Sequence, residues 1–230
     1  MDQKQQLLLD ATRRLIRRGA FPNLAKLLAK THPADIAHLF RYLELKEQRI
    51  LFNLIEDAEK SAYVLAELDH VVGAKLLEQL DKETITEVLQ EMSPDDAADI
   101  IGNMPDELAD QILDIMQDED SDETEHLLQY DEDSAGGIMS TEIFSLNEDL
   151  MVKDAIQAIQ QAGDVEMVFY LYVVNEAGQL VGVLSLRQLL TVQPSKRLSD
   201  IMIRDVLSVR TEMDQEEVAR VVEKYNILAV

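Results

Sequence analysis

Pairs of adjacent apolar residues, each followed by a third apolar residue three positions on, recur through the first half of the chain. They stand at Leu39-Phe40-Leu43, Leu51-Phe52-Ile55, Val64-Leu65-Leu68, Leu76-Leu77-Leu80, Val88-Leu89-Met92, Ile100-Ile101-Met104 and Ile112-Leu113-Met116. The step is twelve residues each time, with one step of thirteen. Positions i, i+1 and i+4 share one face of an α-helix, and twelve residues suit a helix of about two turns plus a short connection. Turn and cap residues separate the copies: His70, Asp81, Ser93-Pro94 and Pro105. Helices this short are not stable alone; stacked side by side they share one core, as in a solenoid. The pattern therefore predicts an α-helical superhelix over 35–117, preceded by amphipathic helices at 7–18 and 22–30. The alternative, an irregular helical bundle, is disfavoured by the regular step.

The second half repeats at a longer interval. GIMSTEIFSLNEDLMVKDAIQAI (137–159) matches DIMIRDVLSVRTEMDQEEVARVV (200–222) at a constant offset of 63. Ile138-Met139 pairs with Ile201-Met202, Ser145 with Ser208, Leu150 with Met213 and Asp154 with Glu217. After the first copy, FYLYVVNEAGQLVGVLSLRQLL (169–190) reads as strand, turn at Asn175–Gly178, strand, then helix. After the second copy only EKYNILAV remains, with YNILAV in the place of the strand. A unit that stops at its first core strand leaves an unpaired edge, so the expectation is a fragment of a longer polypeptide.

Charge changes this picture from two ordinary domains to something more specific. Residues 83–152 hold 22 acids and no Lys or Arg, against a formal net charge of -24 for the whole chain. Nine of the eighteen residues 116–133 are Asp or Glu. Such a block is commonly a disordered tail, but Leu, Ile and Met recur through it, so folded acidic structure is expected. The first thirty residues run the other way, with seven bases (Lys4, Arg13, Arg14, Arg17, Arg18, Lys26, Lys30) against Asp2 and Asp10. That basic start reads as a helix face or a contact to the acidic body in preference to a membrane anchor. The chain as a whole should repel nucleic acid and anionic lipid; cations or a basic partner are its natural complement. With no cysteine, disulfides and thiolate metal sites are excluded. The longest apolar run, MVFYLYVV (167–174), falls far short of the roughly 18–20 residues of a membrane-spanning helix, and the polar start MDQKQQLLLD carries no signal peptide.

A β-α-β-β-α unit in tandem, with "IM" openings and G-x-L-S closing the hairpin, resembles a CBS-domain pair. SPDDAADII, LLQYDEDSAGGIMSTE, LYVVNEAGQLVGVLSLRQLL and RTEMDQEEVARVVEKY, in that order, resemble the MgtE family of magnesium transporters over roughly 35–230. The resemblance implies an α plus α/β fold: an N-terminal right-handed α-helical superhelix (1–130), an acidic linker (131–136), a first CBS domain (137–198) and a truncated second one (199–230). It implies the cytosolic part of an integral membrane protein, on the cytoplasmic face of the cell membrane, continued by a transmembrane pore domain. It also implies a homodimer through the CBS domains. In that family Mg²⁺ ions bridge acids of the helical and CBS domains and hold a closed state that shuts the pore. Loss of magnesium lets acid repulsion separate the domains, a cation-dependent equilibrium that 22 acids in a stretch without Lys or Arg independently suggest.

The candidate residues each have a structural role to weigh. In SPDDAAD (93–99), Ser93 suits an N-cap, Pro94 the first helical position and Asp96 the third. This accounts for Asp95 and Asp96 but not for Asp99, four residues from Asp95 on the same face. Such a like-charge pair costs about 3 kcal/mol at an effective dielectric near 20 and roughly 5.5 Å, but only ~0.2–0.5 kcal/mol when exposed. The pair needs a metal only if a second acidic surface approaches. Asp95 and Asp99 match metal-binding acids of the family motif. A further family acid falls on Tyr63, which puts one metal site in doubt or moves its ligand to Glu59 or Glu67. Asp214 and Glu216 open the second CBS helix as cap and first turn; the first repeat has Met151 and Lys153 there, so these acids are particular to the second copy, and they match family metal ligands. Oxygen-only donors with retained water suit Mg²⁺. Some family members bind ATP at the CBS signature G-x-[ST]-x-x-[DN]; here it reads Gly182, Ser185 and then Gln188 in place of the acid. Tyr170, Ser185 and Arg187 are the matching nucleotide-binding candidates. His126, a lone helical histidine, is assigned no role.

Three classes of function follow. One is a magnesium-sensing gating module. Another is an acidic scaffold with a CBS dimerisation module that docks a basic protein or binds adenine nucleotide. An enzyme is excluded by the absence of a nucleophile–base pair, a phosphate-cradling glycine loop or histidines at ligand spacing.

Overall fold

Six of the seven apolar pairs close a short helix, the seventh, Val64-Leu65, stands one residue before the end of its own, and the third residue of each triplet lies just beyond. The helices are α3 (Pro33–Phe40), α4 (Leu45–Phe52), α5 (Ala58–Ala66), α6 (His70–Leu77), α7 (Lys82–Leu89), α8 (Pro94–Ile101) and α9 (Asp106–Leu113). Before them come α1 (Gln3–Arg17) and α2 (Phe21–Ala29), and after them α10 (Asp118–Leu127). The structure is a computed structural model that describes residues 3–116, 118–162 and 170–230. Gln117 of the acidic run and Phe169 at the head of the expected strand lie outside these.

Most of these helices pack on the one two along: α1 on α3, α3 on α5, α5 on α7, and α4 on α6, α6 on α8, α8 on α10. This alternation lets eight-residue helices, too short to hold their own hydrogen bonds, share a continuous core. Phe40, Phe52, Leu65, Leu76, Leu77, Leu89 and Ile100 are fully buried in it, and each contributes on the order of 1.5–3 kcal/mol of transfer free energy. The helix starts follow from capping. Asp57, Asp69 and Asp81 accept the backbone N–H of Lys60, Val72 and Thr84, and Pro33 and Pro94 occupy the first helical turn. His70 is the first residue of α6, not its cap; Asp69 caps it. Ser93 holds the N-cap position of α8, but its side chain makes no cap hydrogen bond.

The acidic run is folded. One face of α10 carries Thr124 and Leu127, both buried, and the Ser121 hydroxyl donates to the Leu113 carbonyl at 3.0 Å. The chain divides into two compact units: the first, Met1–Glu132, ends at the close of the acidic run, and the second is Asp133–Val230.

In the second unit β1 (Ser145–Asn147), α11 (Val152–Gln161), β2 (Tyr170–Val174), β3 (Leu180–Ser185), α12 (Leu186–Thr191) and α13 (Gln215–Tyr225) follow one another, with a 3-10 turn at Leu198–Asp200. The sheet order is β1-β2-β3, β1 parallel to β2 and β2 antiparallel to β3. The hairpin turns at Asn175–Gly178, where Gly178 has φ +75° and the Asn175 side chain accepts from Ala177 and Gln179 N–H. Leu171, Val173 and Leu184 are fully buried beneath the sheet with Val152, Ala155, Leu189 and Leu198.

The 63-residue repeat is a structural two-fold as well. Val152 N–H donates to Lys196 O and Gln215 N–H to Asp133 O. Leu198 N–H donates to Leu150 O and Ala135 N–H to Met213 O; Ser199 N–H donates to Glu148 O and Gly136 N–H to Thr211 O. In each pair, both partners of one bond lie 63 positions from those of the other. The opening of each copy thus seals against the helix entry of the other. Residues 226–230, read in the sequence as the first core strand of the second copy, form no strand; a strand needs a ladder partner, and none of the three strands supplies one.

Candidate functional site

Asp95 and Asp99 lie on α8, a helix whose first turn adds Asp96. All three are half-buried, because Ala97, Ala98, Ile100 and Ile101 turn the rest of the helix into the core. α6 packs on α8 and brings His70 against it, with Nε2 3.6 Å from Asp99 Oδ2 and Nδ1 3.9 Å from Glu132 Oε1. Burial pushes the Asp99 carboxyl above its ordinary value, against the attraction of His70, while Asp95 and Glu132 push it further up. One imidazole therefore stands beside two carboxylates, with Asp95 a further charge acting on Asp99, and the balance disfavours the charge on Asp99. His70 was not legible as a partner from sequence. The signal was the twelve-residue step itself: helices two copies apart pack, so α6 faces α8.

The other candidate acids sit in the second unit. Asp214 caps α13 by accepting Glu216 N–H at 2.8 Å, as the structural reading foresaw. Glu216 is exposed and pairs with Arg220 at 3.2 Å across one turn. Asp133 lies alongside and accepts from the Gln215 side chain and backbone region of the same helix start. Tyr63, in the place of the expected acid, is 47% exposed and stacks edge-on against His32 at 6.4 Å. Among the described residues, no group of three or more His, Asp or Glu is arranged to hold a metal ion.

The nucleotide candidates gather on one face of the sheet. Tyr170 and Ser185 are register partners across β2 and β3, and Arg187 follows, exposed, in the first turn of α12. Tyr172 shares the face; burial raises its hydroxyl pKa, and Tyr170 adds to the shift. Gln188, where an acid was expected, is already engaged. Its Oε1 accepts from Ser185 N–H at 3.0 Å and from the Ser185 hydroxyl at 2.9 Å, while Ser185 Oγ accepts Gln188 N–H, a reciprocal cap of α12. Gly182 has a packing role: a Cβ there would meet Met202 Sδ at 2.6 Å, Met202 Cγ at 2.7 Å and Ile203 O at 3.0 Å. No helix among the described residues is long and apolar enough to cross a membrane.

Residues 31–133 match the family model of the MgtE intracellular N domain, and residues 135–195 that of the CBS domain. The magnesium transporter MgtE of Thermus thermophilus is 44% identical over 103 residues, and that of Bacillus subtilis 41% over 105. These stretches are 44% and 45% of the chain and 23% of each relative, so the chain matches about a quarter of the curated relatives' length. Among solved structures, the cytosolic domain of the Mg²⁺ channel MgtE in complex with ATP superposes with a TM-score of 0.87 at 33% identity, over 95% of this chain and 90% of that one. The soluble part of a magnesium transporter superposes with a TM-score of 0.75 at 25% identity, over 97% and 88%. With the N-domain repeat, the CBS unit and their order all matched, the chain belongs to the MgtE family, as its N domain joined to CBS sequence.

Proposed function

We propose that this chain is the cytosolic Mg²⁺-sensing region of a magnesium transporter or channel, continued by a transmembrane pore domain, and that Mg²⁺ bridging of its acids stabilises a closed state that shuts the pore. The observation that carries the reading is the α8 acid group, where Asp99 is half-buried beside Asp95 and Glu132, with the His70 imidazole 3.6 Å from it. Asp95 and Asp99 of the helical part, and Asp214 and Glu216 of the CBS part, are the acids that would take up Mg²⁺ ions. The donor set fits: all four offer oxygen, and Mg²⁺ uses one or two carboxylates and keeps several waters, so no closed protein cage is needed. The bound ion supplies the positive charge that residues 83–152 lack. Without it the carboxylates repel one another and favour separation. The organisation proposed is a helical domain over 1–130, a linker over 131–136 and CBS sequence over 137–198 and 199–230, with the CBS part pairing as a homodimer.

Small-angle X-ray scattering of the 230-residue chain tests this, with MgCl₂ against NaCl at matched ionic strength. The reading requires a smaller radius of gyration with magnesium only, and loss of most of that change in Asp95→Asn/Asp99→Asn. Equal curves would leave an acidic scaffold that screens ions without sensing them.

Adenine-nucleotide binding is a second reading, favoured by the placement of Tyr170 directly opposite Ser185 with Arg187 beside them. The ATP complex of a structural relative supports it. The engaged Gln188 removes the acid that would take the ribose, so weaker binding than at a site with that acid is expected.

A further inference from the structure

Whole-chain charge predicts that anionic lipid is repelled. The tertiary structure qualifies that, because it separates the bases from the acids. We infer that the corner formed by α1 and α2 is a docking surface for an anionic phospholipid bilayer. The inference rests on the proposed role beside a membrane transporter. These helices precede the residues matched by the N-domain family model.

α1 is two-faced. Leu9 and Thr12 are buried, and Leu8, Leu15 and Ile16 pack on the core. On the opposite side Leu7, Arg14 and Arg18 fall on one line, since steps of seven and eleven residues return to within about 20° of the start on an α-helix. Leu7 is 65% exposed, and Phe21, at the start of α2, is 40% exposed. Arg14, Arg17, Arg18, Lys26 and Lys30 are all exposed. Lys4 pairs with Asp35, and Arg13 donates to the Tyr42 carbonyl; Arg17 reaches only the Arg13 carbonyl. Arg14 and Arg17 in the last turn complement the helix dipole. Lys26 in the last turn of α2 and Lys30 at its C-cap do the same for that helix. The dipole does not account for two large apolar side chains, Leu7 and Phe21, left exposed among the cations.

Distance protects the corner from the acids. α1 packs on α3, α3 on α5, α5 on α8 and α8 on α10. Four such contacts at about 8–10 Å each link α1 to the acid-rich α10, against a Debye length of about 8–10 Å in physiological salt. A planar surface touching the corner therefore feels local positive charge. Exposed cations flanked by Leu and Phe match the chemistry of a headgroup layer, where cations meet phosphate and the apolar side chains enter the acyl boundary. An acidic protein surface, including a second copy of this chain, would engage the cations but leave Leu7 and Phe21 unused.

Vesicle flotation of the 230-residue chain tests the inference. It is run in EDTA, so that divalent ions cannot bridge protein acids to lipid. Phosphatidylcholine vesicles are compared with vesicles carrying about 30 mol% phosphatidylglycerol at about 0.1 M NaCl. The chain should float only with the anionic vesicles. Arg14→Gln/Arg17→Gln/Arg18→Gln should lose roughly fivefold in partition per charge, on the order of a hundredfold together. Phe21→Ser should weaken binding without changing its salt dependence, and circular dichroism checks that both variants keep their helix content. No flotation, equal flotation with both vesicles, or full binding by the folded triple variant overturns the inference. So does sedimentation velocity showing salt-sensitive self-association, lost in the triple variant, without vesicle binding. Magnesium compaction measured by scattering is a separate readout, so either proposal can fail while the other stands.

Discussion

Gly182→Ala puts a methyl group where the second unit has no room. The added Cβ would lie 2.6 Å from Met202 Sδ, 2.7 Å from Met202 Cγ and 3.0 Å from the Ile203 carbonyl. Met202 can in principle swing aside, but it is 9% exposed and belongs to the core beneath the sheet. The carbonyl cannot move freely, because Ile203 and Val183 exchange both backbone hydrogen bonds at 2.9 and 3.0 Å. Overpacking of this kind costs about 1–3 kcal/mol. Replacing a strand glycine returns roughly 0.5–1 kcal/mol of chain entropy, which leaves a net loss of about 1–2 kcal/mol. With a urea slope of about 1–3 kcal/mol per molar, the midpoint of the second unit should fall by roughly 0.5–1 M. Urea unfolding followed by circular dichroism and tyrosine fluorescence reads this. A double-mutant cycle with Met202→Ala sharpens it: the methionine truncation opens space for the new methyl, so the combined cost should be less than the sum by about 1 kcal/mol. Additive effects, or an unchanged midpoint in Gly182→Ala, would refute the packing account and return Gly182 to a ligand-binding explanation.

Two further predictions concern the candidate sites. Asp99 binds its proton more tightly in the folded state, because burial and its acidic neighbours raise its pKa. Stability from this group is therefore present at low pH and lost as pH rises from roughly 4 through the raised value. Asp99→Asn should then flatten that part of the stability–pH profile. In the absence of divalent cations at pH 7 it should gain about 0.2–0.5 kcal/mol by relieving the i,i+4 repulsion from Asp95; thermal unfolding between pH 4 and 7 checks the sign, and a destabilised variant at pH 7 would contradict it. If nucleotide binds beside Tyr170, Arg187→Ala should weaken ATP far more than adenosine, by roughly tenfold or more, since a charge-assisted phosphate contact is worth about 1.5–3 kcal/mol. Titration calorimetry with both ligands distinguishes this from an equal loss, which would place the arginine away from the phosphates.

Much of the architecture was written in one dimension because it repeats. The twelve-residue step located seven helices, since each triplet must face the shared core and each turn must fall where Asp or Pro can start the next helix. The 63-residue offset located α11 and α13 and the hairpin between them, for the same reason of periodic burial. The acid-rich run was legible as folded because Leu127 and its neighbours keep helical spacing inside it. What the sequence left open were contacts between residues far apart along the chain. His70 reaches Asp99 and Glu132 only because helices two copies apart stack. Gly182 looked like part of a ligand signature; only the fold shows that the chain at Met202 also passes close over it. Gln188 looked like a missing acid and is a cap partner already spent on Ser185. The cations of α1 and the acids of α10 were visible as two blocks of opposite charge, but only the order of helix packing set α3, α5 and α8 between them. Local spacing determines which face of an element is buried; which two buried faces meet, and which charges are left looking at each other, is decided by packing.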